Sequence, residues 1–134
     1  MAITDNAIVV ETIPSDGETW SVSAYSADLS GCEELKAAVA GHVHYVMKVW
    51  MNSASSISLN IGAGETGGAV TTTYIGPIVF TAAGPNYSLD FTAPSALPLK
   101  GMKLPAGTSL TVDATGAGPT ALYIEGKTCK VPPF

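Results

Sequence analysis

The sequence predicts an all-β fold, an antiparallel β-sandwich or a barrel, and three observations support this. Apolar and polar residues alternate in about eight or nine short runs that recur roughly every ten residues, as in antiparallel strands. Fourteen Gly and nine Pro supply the turns that so many strands require. Strand patterns do not alternate with long helical patterns, which excludes a doubly wound fold. A length of 134 residues suits one domain with one core.

The first half of the chain contains two predicted strands followed by an ambiguous segment. Residues 7–13 form an apolar run, and residues 18–25 alternate with Trp20 on the apolar side. Ser30 and Glu33 have the spacing of a helix capping box, so residues 32–40 are predicted either as a short helix or as an extended segment.

The strongest strand pattern is at residues 42–51, where both faces carry apolar side chains. One face is predicted to hold Val43, Tyr45, Met47, Val49 and Met51. The other is predicted to hold His44, Val46, Lys48 and Trp50. Because both faces are apolar, the strand is expected to be central, with one face in the core and the other covered by a partner. The second set is therefore the predicted subunit interface.

The remaining predicted strands are residues 57–61, 72–81, 87–92, 97–104, 109–114 and 121–125, with Leu122 and Ile124 pointing inward in the last. The loop at residues 62–68 contains Gly62, Gly64 and Gly67 in the spacing of a dinucleotide-binding fingerprint. That fingerprint requires a helix after the glycines, whereas a strand-like run follows here. The loop is therefore predicted to be a connection between strands.

Charge excludes several classes of partner. The net charge is −5, and all six basic residues are Lys, scattered along an acidic chain. Nucleic-acid binding relies on clustered cations and on Arg, so it is not expected, and neither is binding to an anionic membrane. Residues 1–10 lack the basic region of a signal peptide, and no apolar run is long enough for a membrane helix. We expect a soluble protein made in the cytoplasm.

Catalytic and metal sites have little support in the sequence. His42 and His44 lie two residues apart on a strand and are weak candidates for metal ligands, but no third ligand lies nearby. No Gly-x-Ser-x-Gly elbow occurs, and the spacing of the acidic residues singles out no catalytic pair among Glu65, Asp90, Asp113 and Glu125. We expect no enzyme activity, no metal and no cofactor. The Trp and Tyr residues could stack on a sugar, although Trp20 and Tyr45 are in phase with core positions.

Several segments, taken in order, resemble a known family: residues 35–38 (LKAA), Gly41, 44–47 (HYVM), 55–64, 76–80 (GPIVF) and 104–112 (LPAGTSLTV). The order is similar to that in the small jelly-roll proteins that decorate the heads of tailed bacteriophages, whose fold is like that of tumour necrosis factor. The resemblance spans residues 35–126 and contains no catalytic motif. It implies a turn with Pro105 and Gly107, followed by a strand whose Leu110 and Val112 enter the core.

The resemblance also implies a biological role. It predicts a homotrimer on the capsid surface of a virion that binds the major capsid protein and stabilises the head. The rival prediction is a receptor-binding or carbohydrate-binding jelly roll of a phage tail or fibre. The division expected is an N-terminal arm with the first strand (residues 1–29), a jelly-roll domain (residues 30–130) and a short tail (residues 131–134). The first and last strands of a jelly roll often lie side by side, so Cys32 and Cys129 could be neighbours joined by a disulfide, or remain two thiols.

Overall fold

The computed structural model describes residues 9–14, 17–28, 32–53, 55–64, 70–80, 86–92 and 100–130. Those residues contain ten β-strands and no helix. The strands are β1 (Val9–Thr12), β2 (Glu18–Asp28), β3 (Glu33–Lys36), β4 (His42–Ser53), β5 (Ser58–Gly64), β6 (Val70–Val79), β7 (Tyr87–Asp90), β8 (Lys100–Lys103), β9 (Leu110–Ala114) and β10 (Ala117–Lys130).

The strands form two antiparallel sheets. Sheet A has the order β1-β8-β4-β10-β2, with β7 also paired to β4, and sheet B has the order β3-β9-β5-β6. Eight of the strands pair as nested hairpins, β2 with β10, β3 with β9, β4 with β7 and β5 with β6, and these pairs alternate between the sheets. This is the winding of a jelly roll. The predicted antiparallel sandwich is confirmed, with ten strands in place of about eight.

The core lies between the inner faces of the two sheets. Its fully buried side chains include Met51, Leu59, Ile61, Met102, Leu104, Leu110, Val112 and Ile124. The turn into β9 has the form that the sequence predicts, since the Thr108 hydroxyl donates to the Pro105 carbonyl and Gly107 has a φ of +70°. Leu110 and Val112 are both fully buried, as predicted.

A β-bulge in β4 changes which side chains face the core. Lys48 pairs with Glu125 of β10, but Val46 pairs with the next residue, Gly126, so Met47 is an extra residue in β4. Val46 therefore enters the core, and the inward positions after the bulge are Val49 and Met51. The prediction of strict alternation through β4 was wrong, because the extra residue reverses the phase.

Residues 13 and 14, which follow β1, lie over the outer face of sheet A. Strands β1 and β2 lie at opposite edges of the sheet, and Ile13 packs between them against Val43, Tyr45 and Cys129. Because β2 pairs with β10 along most of its length, residues 18–28 form an edge strand of sheet A. Residues 1–8 and the tail at residues 131–134 lie outside the described residues.

The ambiguous segment is extended. Within residues 32–40 the structure has strand β3, and no helix forms. Backbone pairing to β9 thus decides between the two local preferences. The following turn places Gly41 at a φ of +74°, a conformation that favours glycine.

Gly126 is expected to be essential for packing at the bulge. A Cβ there would clash with the Trp20 ring and lie 2.5 Å from the Tyr45 carbonyl oxygen. Gly126→Ala should therefore lower the free energy of unfolding by about 1–3 kcal/mol in urea denaturation. Gly116→Ala is the matched control, because its Cβ would meet only Ile57, at 3.8 Å. Equal stability of the two variants would contradict this packing.

Candidate binding surface

The outer face of sheet A carries three exposed aromatic side chains, Tyr25, Trp50 and Tyr123, which we call the aromatic strip. Their exposed fractions are 71%, 36% and 37%. Trp50 and Tyr123 are direct cross-strand partners on β4 and β10. Tyr25 lies on β2, beyond β10, where it pairs with Ala121. The sheet thus presents aromatic groups on three strands to the surroundings.

Polar groups surround the aromatic strip. Lys48 and Glu125 are cross-strand partners with an Nζ–Oε2 distance of 3.9 Å. Asp90 is the register partner of Lys48 on the neighbouring strand β7. A shallow pocket of about 260 Å³ is lined by Trp50, Tyr123, Lys48, Val49, Ser88, Leu89 and Asp90. The strip therefore combines aromatic area with both signs of charge at its margin.

One end of this outer face is covered by residues 13 and 14 of the chain itself. The Lys127 ammonium donates to the Pro14 carbonyl over a distance of 2.9 Å, and this bond holds residues 13 and 14 against β10. Val43 and Tyr45 are 5% exposed beneath them. Residues 13 and 14 thus cover one end of the face and leave the aromatic strip open at the other.

The residues predicted as a subunit interface do not share one surface. His44 and Val46 are buried, with exposed fractions of 2% and 0%, whereas Lys48 and Trp50 lie on the outer face. The bulge at Met47 separates the two pairs. Sequence reasoning placed Leu122 and Ile124 inward, which leaves Tyr123 outward, but it did not connect Tyr123 or Tyr25 with Trp50.

His44 has both ring nitrogens engaged. Nε2 lies 2.8 Å from the Ala37 carbonyl oxygen, which can only accept, so Nε2 carries the proton. Nδ1 lies 2.7 Å from Oγ1 of Thr128 and accepts from that hydroxyl. His42 instead directs Nδ1 to the Ala40 carbonyl, at 3.0 Å. The structure does not turn the two imidazoles toward a shared ligand.

The other candidate catalytic residues are distributed over both sheets. Among the described residues, no group of three or more His, Cys, Asp or Glu side chains is placed to hold a metal ion. Asp113 lies in sheet B, whereas Asp90 and Glu125 lie in sheet A, and Glu65 is outside the described residues. No helix in the described part of the chain is long and apolar enough to cross a membrane.

The two cysteines are both buried thiols in this structure, which is one of the two alternatives that the sequence leaves open. Cys32 directly precedes β3 in sheet B, and Cys129 lies on β10 in sheet A. Burial, together with Asp113, raises the pKa of the Cys32 thiol above its usual value. A raised pKa keeps the sulfur protonated and unreactive.

Comparisons with known proteins yield weak structural similarities. No protein-family model matches the sequence, and no curated protein matches it. The chain is similar to a chain of the disulfide-linked pili of Bacillus endospore appendages, with 10% identity, 98% of each chain covered and a TM-score of 0.48. It is also similar to a chain of the acid-stable capsid of Helicobacter pylori bacteriophage KHP30, with 15% identity, coverage of 92% and 99%, and a TM-score of 0.44. For the capsid asymmetric unit of cyanophage Pam1 the identity is 12%, the coverage 98% and 100%, and the TM-score 0.38.

Acid is expected to destabilise the fold through His44. Burial lowers the pKa of His44 below its usual 6.5, with contributions from Lys36 and His42, although the hydrogen bond to Ala37 opposes them. The unfolded chain therefore binds the proton more readily, so this stabilisation is complete above pH 6.5 and is lost as the pH falls toward the folded-state pKa.

Thermal denaturation between pH 7.5 and 5.5 would measure the effect. The melting temperature of the wild type should fall with pH, and His44→Gln, which keeps a neutral donor and acceptor, should flatten the decline. His42→Gln is the control and should keep most of the wild-type slope. A wild-type slope in His44→Gln would assign the acid sensitivity to another group.

Proposed function

We propose that this chain is a structural protein of a bacteriophage particle that binds the major capsid protein on the head surface through the aromatic strip. The observation that carries the proposal is the exposure of Tyr25, Trp50 and Tyr123 on one face of a jelly roll. The family resemblance implies the same fold and a role in head decoration.

The composition of the aromatic strip is typical of a binding interface. Tyr and Trp are enriched at the centres of protein interfaces, because they bury large areas at low entropic cost. Lys48, Glu125 and Asp90 at the margin would form a polar rim. Flanking Ser21 and Ser23 on β2 are small and exposed, so they leave the aromatic groups accessible to a broad partner surface.

The proposed assembly state is a homotrimer, as the resemblance implies. Size-exclusion chromatography with light scattering should then give a mass of three times the 13.7 kDa of the chain. A stable monomer across the micromolar range would contradict the trimer. The capsid-binding proposal is tested separately below.

The rival function, binding of a carbohydrate or receptor by a tail or fibre module, is favoured by one observation. Trp50 and Tyr123 adjoin a pocket that also contains Asp90 and Lys48, and stacking aromatics beside polar groups suit a sugar ring. In this case the same pocket would bind free glycans, without any capsid present.

Co-sedimentation with undecorated heads of the phage that encodes the chain tests the proposal. Trp50→Ser and Tyr123→Ser should each weaken head binding by roughly thirtyfold, as expected for aromatic residues at the centre of an interface. Val79→Ser is the control, because Val79 is an apolar residue, 71% exposed, on sheet B. Its binding should equal that of the wild type.

The outcomes separate the two functions. Failure of the wild type to bind heads would overturn the capsid proposal. Binding to a glycan array that Trp50→Ser abolishes, without head binding, would establish the rival. Circular dichroism and melting temperature would show that each variant is folded.

A further inference from the structure

A second cavity lies at the open end of the sandwich, away from the aromatic strip. Its volume is about 330 Å³, near the lower end of the range for small-molecule sites. The wall comes from the start of β2, the end of β3, the β3–β4 connection, the start of β4 and the end of β10. Its residues are Gly17, Glu18, Thr19, Trp20, Lys36, Val39, His42, Thr128 and Lys130.

The cavity is a positive site in an acidic protein. Lys36 and Lys130 contribute two ammonium groups, and Glu18 contributes one carboxylate. No carboxylate within 4.0 Å pairs with either ammonium among the described residues. The charged groups among the described lining residues therefore sum to one net positive charge beside His42, although the whole chain has a net charge of −5.

Trp20 forms part of the cavity wall. Its indole Nε1 is buried and has no hydrogen-bond partner among the described residues. The Lys36 ammonium lies 5.4 Å from the centroid of the Trp20 ring, and the ring meets His44 edge-on with centroids 6.1 Å apart.

We infer that this cavity binds a carboxylate group. A carboxylate is a monoanion, so it would neutralise the net charge that Lys36, Lys130 and Glu18 leave. Its two oxygens can accept from both ammonium groups, and hydrogen bonds between charged partners are stronger than neutral ones. The source is either a small free carboxylate or the side chain of an acidic residue on a partner polypeptide.

Solution NMR of the full chain tests this inference with acetate as the probe. The indole N–H signals of Trp20 and Trp50 are assigned with Trp50→Phe, and sodium acetate is compared with sodium chloride at equal ionic strength. The Trp20 signal should move saturably in acetate only, while Trp50 stays in place. An equal response to chloride would overturn the inference and indicate ionic screening.

Substitutions locate the binding site. Lys36→Gln and Lys130→Gln should each raise the dissociation constant for acetate about threefold or more, as expected for partly exposed ion pairs. Lys100→Gln is the control, because Lys100 is an exposed lysine on β8 outside this cavity. Unchanged affinity in both cavity variants would overturn the inference.

A second probe distinguishes the two sources of the carboxylate. A short acetylated and amidated peptide with one Glu carries the group only on a side chain. Tighter binding of the peptide than of acetate supports a polypeptide partner, and tighter binding of acetate supports a small free carboxylate. Neither result depends on head binding, so this inference and the proposed function fail or succeed separately.

Discussion

The surfaces of this protein depend on one backbone irregularity, the β-bulge where β4 pairs with β10. Met47 is the extra residue, and it reverses the direction of every side chain that follows it in β4. Before the bulge, His44 and Val46 point inward, and after it Lys48 and Trp50 point outward. Without the extra residue, Trp50 would occupy the side of the sheet that faces the core. The bulge therefore places the aromatic strip on the outside of a continuous strand.

Topology determines how much of that outer face stays accessible. Because β1 and β2 lie at opposite edges of sheet A, the connection must cross β8, β4 and β10. Its residues 13 and 14 lie at the end where Val43 and Tyr45 are, and Ile13 supplies the apolar cover. The Lys127 hydrogen bond to Pro14 holds them there. The outer face of sheet A is thus covered at one end by residues 13 and 14 and carries the exposed aromatic strip at the other.

The open end of the sandwich has a different chemistry. Here the neutral imidazole of His44 joins the β3–β4 connection to β10 through Ala37 and Thr128. The same end brings Lys36 and Lys130 together around Trp20, although they are 94 positions apart in sequence. The molecule therefore has an aromatic surface on sheet A and a separate cationic cavity between the sheet edges. No local pattern indicates the cavity, because its lysines come from β3 in sheet B and β10 in sheet A.

The sequence by itself determined the fold class, the positions of most strands and the turn before β9, because these follow from period-2 alternation and from the backbone preferences of Gly and Pro. It could not decide between helix and strand at residues 32–40, because the strand there pairs with β9, which is distant in sequence. It also placed Trp50 on the same face as His44 and Val46, whereas the bulge puts Trp50 on the opposite face. Tertiary structure decided these features, because a bulge, a strand crossing and contacts between distant strands arise only when the two sheets pair and pack.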